Sequence, residues 1–344
     1  MAIEKTMRAL YQLRGWIAGC SGLLLLALLP TVYDQLFGFS AGFELHRISL
    51  IGILIIAALA QNLLTGYAAQ PSLGNAAFFG TGAYMLAWCT NDLNQPYWVG
   101  LLAALLVTAL LSLIVGGPAL RISGAHLAIV TLGLVLVCGA LLNLWDTSAG
   151  RQNYALNNLP DLLNDDHALY FIVLGGVVAL IFLIYHLLHS RVGRAWVALR
   201  DNETAAETFG INLVHYKLLA FVISAMLTGL AGALYATWAT TADSSMSSAD
   251  QTIAFLTMIV VGGLGSITGS VLGAIFVGAL PLLLGQLPSP LSVGALQIQV
   301  STLITGVYGL LLLLALIFFP SGLSSLVEHG GGAIQRLNRQ GGRA

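Results

Sequence analysis

Seven long stretches of the chain carry almost no charge: residues 16–33, 48–64, 98–116, 123–145, 168–189, 217–238 and 300–319. Each is near the length that carries a helix across about 30 Å of hydrocarbon. Two more regions, 76–90 and 252–285, are apolar but broken by glycine. Only 8% of the 344 residues are charged and 58% are hydrophobic, against roughly a quarter charged in an ordinary soluble domain. A soluble fold of this size lacks the charge to cover its surface, so the bilayer is the solvent. In lipid the backbone must satisfy its own hydrogen bonds, and continuous apolar runs do that as helices. A barrel would instead show alternating segments of about ten residues. The fold class expected is an all-α polytopic membrane protein.

The net charge of −1 hides a strong asymmetry. Following the loops in order, one side receives Lys5, Arg8, Arg14, Arg121, Arg191, Arg194, Arg200, Lys217, Arg336, Arg339 and Arg343. The other receives Arg47 and Arg151, with Asp34, Glu44, Asp92, Asp146, Asp161, Asp165, Asp166, Asp243 and Asp250. Eleven of the 13 basic residues therefore share a face, and the positive-inside rule makes that face cytoplasmic. The parity works if 76–90 crosses once and 252–285 forms a hairpin turning at Gly265–Gly269. About ten transmembrane helices result, some short or broken by glycine, with both termini cytoplasmic. Residues 1–15 form the inner N-terminus, 16–320 one membrane domain, and 321–344 a cytoplasmic tail disordered at its end.

The segment Ile17-Ala18-Gly19-Cys20 resembles a lipoprotein cleavage box. In a lipoprotein the apolar region precedes the cysteine, whereas here Leu23–Leu29 follows it, so a retained first helix is expected. Cys20, Cys89 and Cys138 lack metal-like spacing and read as packing residues.

Two connections are long. The outer loop 146–167 is acidic, with Asn153, Asn157, Asn158 and Pro160. The inner loop 190–216 has a centre without glycine or proline, rich in helix formers, from Arg194 to Phe209. Trp196, Leu199, Ala206 and Phe209 roughly mark one face, Arg200, Asp201, Glu203 and Glu207 carry charge, and Gly210 suits a helix end. A short helix lying across the cytoplasmic surface is expected. Its apolar side would rest either in lipid headgroups or on a protein partner; its mixed charge suits the partner better.

No ionisable residue lies near the middle of any apolar run, so the sequence offers no evident coupling to an ion gradient. The cluster Gly262, Gly263, Gly265 and Gly269 lacks the lysine of a phosphate loop. No catalytic set and no metal set is evident. What remains is 39 glycines, dense in 62–85 and 257–280, which serve either close helix packing or helix breaks lining a cavity. Around Pro71 stand the amides Gln61, Asn62, Gln70 and Asn75 with Ser72. They suit a neutral or zwitterionic solute, and they suit equally the capping of broken helix ends.

At these residues the chain resembles the LivM-type permease subunits of branched-chain amino-acid ABC importers. The resemblance rests on three stretches in order. The first is Gly66-Tyr67 followed by Gln70-Pro71-Ser72-Leu73-Gly74-Asn75-Ala76-Ala77-Phe78-Phe79-Gly80 and Gly82-Ala83-Tyr84. The second is Gly193-Arg194, then Arg200-Asp201-Asn202-Glu203, Gly210-Ile211-Asn212, Tyr216-Lys217 and Gly229 to Tyr235. The third is Gly262-Gly263-Leu264-Gly265-Ser266 with Gly269 and Gly273-Ala274. Asn75 departs from the family's frequent histidine and Ser270 from its frequent proline. The outer loop reads Thr147-Ser148-Ala149-Gly150-Arg151 in place of a glycine-rich run.

The resemblance implies a bacterial inner-membrane permease that is not itself an enzyme. Its partners would be a second, LivH-like permease, two ATPase subunits and a periplasmic or extracellular substrate-binding protein, with surrounding membrane lipid and no nucleic acid. This chain would bind no cofactor; ATP and Mg would sit on the ATPase subunits. The 194–212 loop would be a coupling helix in an ATPase groove, with Arg194, Arg200, Asp201, Asn202, Glu203 and Glu207 at its rim. Trp196 and Phe209 would anchor it, beside Ala206 and Gly210. Asn62, Gln70, Ser72, Asn75, Phe78, Gly262, Gly263 and Gly265 are the residues expected along the translocation path. Related permeases serve urea, short amides or aromatic acids. A secondary carrier or passive channel for a small neutral solute is the alternative of another class.

Overall fold

The computed structural model describes residues 41–318, apart from 120–123, 157–158, 161–162, 164, 285–290, 294–295 and 299. The inner N-terminus, the first expected helix at 16–33, Arg121 and the tail 321–344 lie outside the described residues. In chain order come α1 (Ala41–Asn62), a π-turn (Leu63–Tyr67), α2 (Asn75–Asn91), α3 (Tyr97–Ala119) and α4 (Ala125–Ser148). Strand β1 (Tyr154–Ala155), α5 (Asp166–His189), α6 (Arg191–Asp201), α7 (Glu203–Thr208) and α8 (Leu213–Ala239) follow. Then come β2 (Thr241–Ala242), a 3₁₀ turn (Ser244–Met246), α9 (Ala249–Gly262), α10 (Ile267–Leu284), β3 (Leu291–Val293), β4 (Leu296–Ile298) and α11 (Val300–Phe318). The short strands pair antiparallel, β1 with β2 and β3 with β4.

Every described stretch expected to cross the membrane is helical. Among the described residues, five helices, at Leu45–Tyr67, Tyr97–Pro118, His126–Ser148, Asp166–His189 and Leu213–Ala239, are long and apolar enough to do so. Side-chain caps start several of these helices: Asp165 accepts from the His167 amide and Asn212 from that of His215. The outer loop is shorter than expected, because α4 keeps its helical bonding to Ser148 and α5 starts at Asp166.

The helices form a core and a sleeve. Ile53, Ile56, Ala57, Ala58 and Ala60 of α1 and Leu63 and Leu64 of the π-turn have no exposed surface, so the second half of α1 is enclosed on all sides, as a helix apolar all round must be. The most apolar window of α1 is 78% buried and that of α8 is 61%, against 33%, 28% and 22% in α3, α4 and α5. These three turn Leu102, Leu106, Leu110, Ile129, Leu136, Leu144, Phe171 and Phe182 outward. In the core, backbones touch. A Cβ on Gly82 would lie 2.1 Å from the Gly229 carbonyl oxygen, and one on Gly232 would lie 1.9 Å from that of Phe79. Only glycine permits the α2–α8 crossing.

Two core helices are short. With 17 residues in α2 and 14 in α9, their rises are about 25 Å and 21 Å at 1.5 Å per residue. Irregular segments lead into both. Residues 68–74 lead from the π-turn to α2, with Ala68, Gln70 and Ser72 buried. Residues 243–248 lead into α9, and Ser247 lies half-way along α4, its hydroxyl donating to the Val135 carbonyl at 3.3 Å. The first segment is held from both sides: Thr252 in the first turn of α9 donates to the Leu73 carbonyl at 3.3 Å, and Thr131 of α4 accepts from the Leu73 amide at 2.9 Å. Non-helical backbone at this depth survives because protein encloses it.

The hairpin turn expected at Gly265–Gly269 falls earlier, between the end of α9 at Gly262 and the start of α10 at Ile267. The reason is local. Gly263 (φ 117°) and Gly265 (φ 75°) take the positive φ values that reverse the chain, and the Ser266 hydroxyl then accepts from the Gly269 amide, starting α10.

Candidate translocation and coupling site

The amides around Pro71 hold the broken backbone. Asn62, the last residue of α1, is buried and fully used. Its Oδ1 accepts from the Gly265 amide at 2.9 Å, and its Nδ2 donates to the Ser266 carbonyl at 3.0 Å and the Ser270 hydroxyl at 2.6 Å. One side chain thus ties the end of α1 to the α9–α10 turn. Gln61 donates to the Ser72 carbonyl at 2.8 Å, and Asn75 to the Ser224 hydroxyl at 3.1 Å. That hydroxyl in turn donates to the Ala60 carbonyl at 2.7 Å. Gln70 donates to the Lys217 carbonyl at 3.1 Å, and Ser72 accepts from the Gly74 amide at 3.2 Å.

Each of these contacts fixes the amide orientation, since a backbone carbonyl or a committed hydroxyl demands a donor. The opposite atoms, Gln61 Oε1, Gln70 Oε1 and Asn75 Oδ1, are consequently buried without a partner. Such acceptors cost about 1–3 kcal/mol each. Ala69 adds a left-handed backbone at φ 50°, and the π-turn before it is the kind of irregularity that marks functional sites. Phe78 is enclosed, edge-on to Phe221 with centroids 5.6 Å apart. Gly262 and Gly263 are buried and Gly265 is half-buried. Of the residues expected along the path, all are therefore brought to the break or the adjoining turn, inside this subunit.

The inner loop is an elbow of two helices, where the sequence suggested one. Ser190 caps α6 by accepting from the amides of Val192 and Gly193. Asn202 leaves helical geometry (φ −163°, ψ 110°) and caps α7, accepting from the Ala205 amide at 3.0 Å. Asparagine favours that capping role over a helix interior, which breaks the run. The end of α7 is a Schellman turn. Gly210 at φ 81° donates to the Glu207 carbonyl at 2.9 Å, and Ile211 to that of Ala206 at 3.2 Å.

Exposure divides the elbow's residues. Trp196, Leu199 and Ala206 face the permease; Trp196 has no exposed surface, and its indole donates to the Tyr216 carbonyl at 2.9 Å. The expectation that Trp196 anchors the loop in a partner is corrected: it anchors α6 to the start of α8. Phe209 does not share that face and stands 85% exposed. Arg194, Asp201, Asn202, Glu203, Glu207 and Gly210 are also exposed. Glu203 pairs with Lys217 at 2.7 Å, a surface pair worth about 1 kcal/mol or less.

Arg200 was missed as an inward contact. Its Nη1 lies 3.5 Å from the Gly66 carbonyl oxygen, and a Cβ on Gly265 would stand 2.8 Å from it. No spacing rule links residues 134 positions apart. At the opposite end of the bundle, Asp146 is buried at the last turn of α4. Arg151 pairs with it at 3.1 Å, and the Tyr84 hydroxyl donates to it. Arg151 also lies 3.5 Å over the Tyr154 ring. Burial, reinforced by Asp92, pushes the Tyr154 hydroxyl up to about 12. Among the described residues no His, Cys, Asp and Glu group is placed to hold a metal ion.

A helical bundle with broken core helices, an outward apolar sleeve and an exposed elbow defines a polytopic membrane protein of the permease class. The family profile described as branched-chain amino acid transport system / permease component matches residues 48–319. The chain belongs to that family. It is similar to the high-affinity branched-chain amino acid transport system permease protein LivM of Salmonella typhimurium and to that of Escherichia coli. The identity is 30% over 283 residues in both, covering 74% of this chain and 66% of each relative. The chain thus spans just under two thirds of the length of those relatives. A xylose/arabinose import permease protein of Sulfolobus acidocaldarius is 26% identical over 60% of this chain and 66% of its own.

Proposed function

We propose that this chain is the membrane-spanning permease subunit of an ATP-driven importer of branched-chain or related amino acids. The observation that carries the proposal is the family match, which runs unbroken through the broken core helices and the elbow at 190–212. The elbow adds support: its outer side presents Phe209, Glu207 and Arg194 while Trp196 fixes its inner side to α8. A rigid, charged, aromatic-tipped protrusion suits a protein groove. ATP hydrolysis, with its Mg, belongs on the separate ATPase subunits that would grip it, and a second permease and an external binding protein complete the assembly. Closure of the ATPase pair would push the elbow and alternate the side to which the path opens. Some ten passages and inner termini, in a bacterial inner membrane, belong to the same proposal.

The experiment is uptake of radiolabelled leucine into proteoliposomes holding the assembled importer, with xylose and urea as comparison solutes. ATP-dependent leucine uptake that needs the binding protein supports the proposal. Uptake of xylose or urea alone moves the substrate class. Transport by this chain alone without ATP replaces the proposal with a carrier or channel.

A further inference from the structure

We infer that Arg200 is the positioning residue through which the elbow moves the broken core helices; this rests on the coupling role proposed above. The guanidinium sits where three elements converge. It belongs to the last turn of α6, approaches the Gly66 carbonyl of the π-turn at 3.5 Å, and fills the space that a side chain on Gly265 would occupy. Those two glycines are themselves in contact, since a Cβ on Gly66 would lie 2.4 Å from the Gly265 amide nitrogen and 2.0 Å from Asn62 Oδ1. Asn62 then binds Gly265, Ser266 and Ser270. Arg200 therefore touches the π-turn and the α9–α10 turn at the point where one amide already joins them.

Its other contact is slack. The nearest carboxylate, Asp201, is 3.8 Å away and well exposed, so solvent screens that pair. A guanidinium carries five fixed donors and suits a cluster of carbonyl oxygens better than a single acid. The region it meets is also the strained one, with the π-turn, Ala69 at positive φ and the unpaired Gln61, Gln70 and Asn75 oxygens close by in the chain. Such geometry is held in place by the contacts around it, so a displacement of α6 that alters those contacts acts on it directly. Trp196 ties α6 to α8 while Arg200 reaches across to the π-turn and the α9–α10 turn.

The test uses the assembled importer in proteoliposomes and reads leucine uptake and ATP hydrolysis together. Arg200→Met is expected to leave co-purification with the ATPase subunits and basal hydrolysis within about twofold of wild type, and to lower leucine transported per ATP at least tenfold. Arg200→Lys, which keeps a cation and a donor, restores at least a third of that ratio. Gly265→Ala, which sets a methyl group 2.8 Å from Nη1 at a residue already held at φ 75°, lowers the ratio likewise, and the double variant is no worse than either single one. An unchanged ratio in both Arg200→Met and Gly265→Ala overturns the inference. Loss of ATPase co-purification in Arg200→Met overturns it too, making Arg200 a rim contact. If Arg200→Met does not fold, Arg200→Lys and Gly265→Ala decide the matter. A wild-type assembly without ATP-driven uptake removes the coupling role itself, a failure recognisable before any variant is made.

Discussion

The α2–α8 crossing and the α3–α5 sleeve are built from similar apolar letters and hold together differently. In the crossing, the backbone of α8 lies against α2 through Gly82, Gly229 and Gly232. In the sleeve, leucine and phenylalanine point outward, and Gly133 and Gly175 have nothing within 4 Å of an added Cβ. Lipid is as apolar as leucine, so burying leucine between membrane helices gains little, and close packing becomes the source of association. The lesson is that the tightest contacts of this core are made through glycine backbone, whereas leucines of the sleeve are left facing outward.

The sharpest way to break this comparison is a matched pair of substitutions. Gly232→Leu should abolish the folded monomer in detergent, exceeding the roughly 1–3 kcal/mol usual for overpacking because the obstacle is backbone. Gly175→Leu should leave the melting temperature nearly unchanged, and similar losses in both would end the distinction. Next in size, Trp196→Ala should cost about 3–5 kcal/mol by thermal unfolding. Phe209→Ala should stay within about 0.5 kcal/mol, yet weaken ATPase co-purification. Arg151→Ala strips the buried Asp146 of its cation; breaking buried pairs costs about 3–5 kcal/mol. With Arg151 about a quarter exposed and Tyr84 still donating, about 2 kcal/mol is expected. The one gain expected is from Ala69→Gly, which relieves a left-handed alanine that costs about 1–2 kcal/mol. Against glycine's entropy the net gain should be under about 1 kcal/mol, read as a small rise in melting temperature.

The helices were legible because charge-free length is a direct consequence of lipid thickness, and each described apolar run is mainly helical. The glycine breaks were legible as breaks, since Gly66, Pro71 and Gly74 interrupt an apolar pattern within nine residues. Long-range partners were not. Nothing local says that Asn62 meets Ser270, 208 positions away, or that Asp146 is buried against Tyr84 and Arg151. The elbow was half legible. Gly210 announced its end and Ala206 its inner face, but Asn202 looked like one more helix residue because its capping role depends on the backbone around it. Phe209 sat one position beyond the last helical residue, where the 3.6 period no longer applies.

The α2–α8 contact has a consequence for motion. Two helices in carbonyl-to-carbon contact have no side-chain layer to lubricate sliding, so they travel as a single strut. Displacement must then be taken up where the chain is unwound, at 68–74 and 243–248. Both ends of the strut adjoin one of these segments: α2 begins at Asn75, just after the first, and α8 ends at Ala239, four residues before the second.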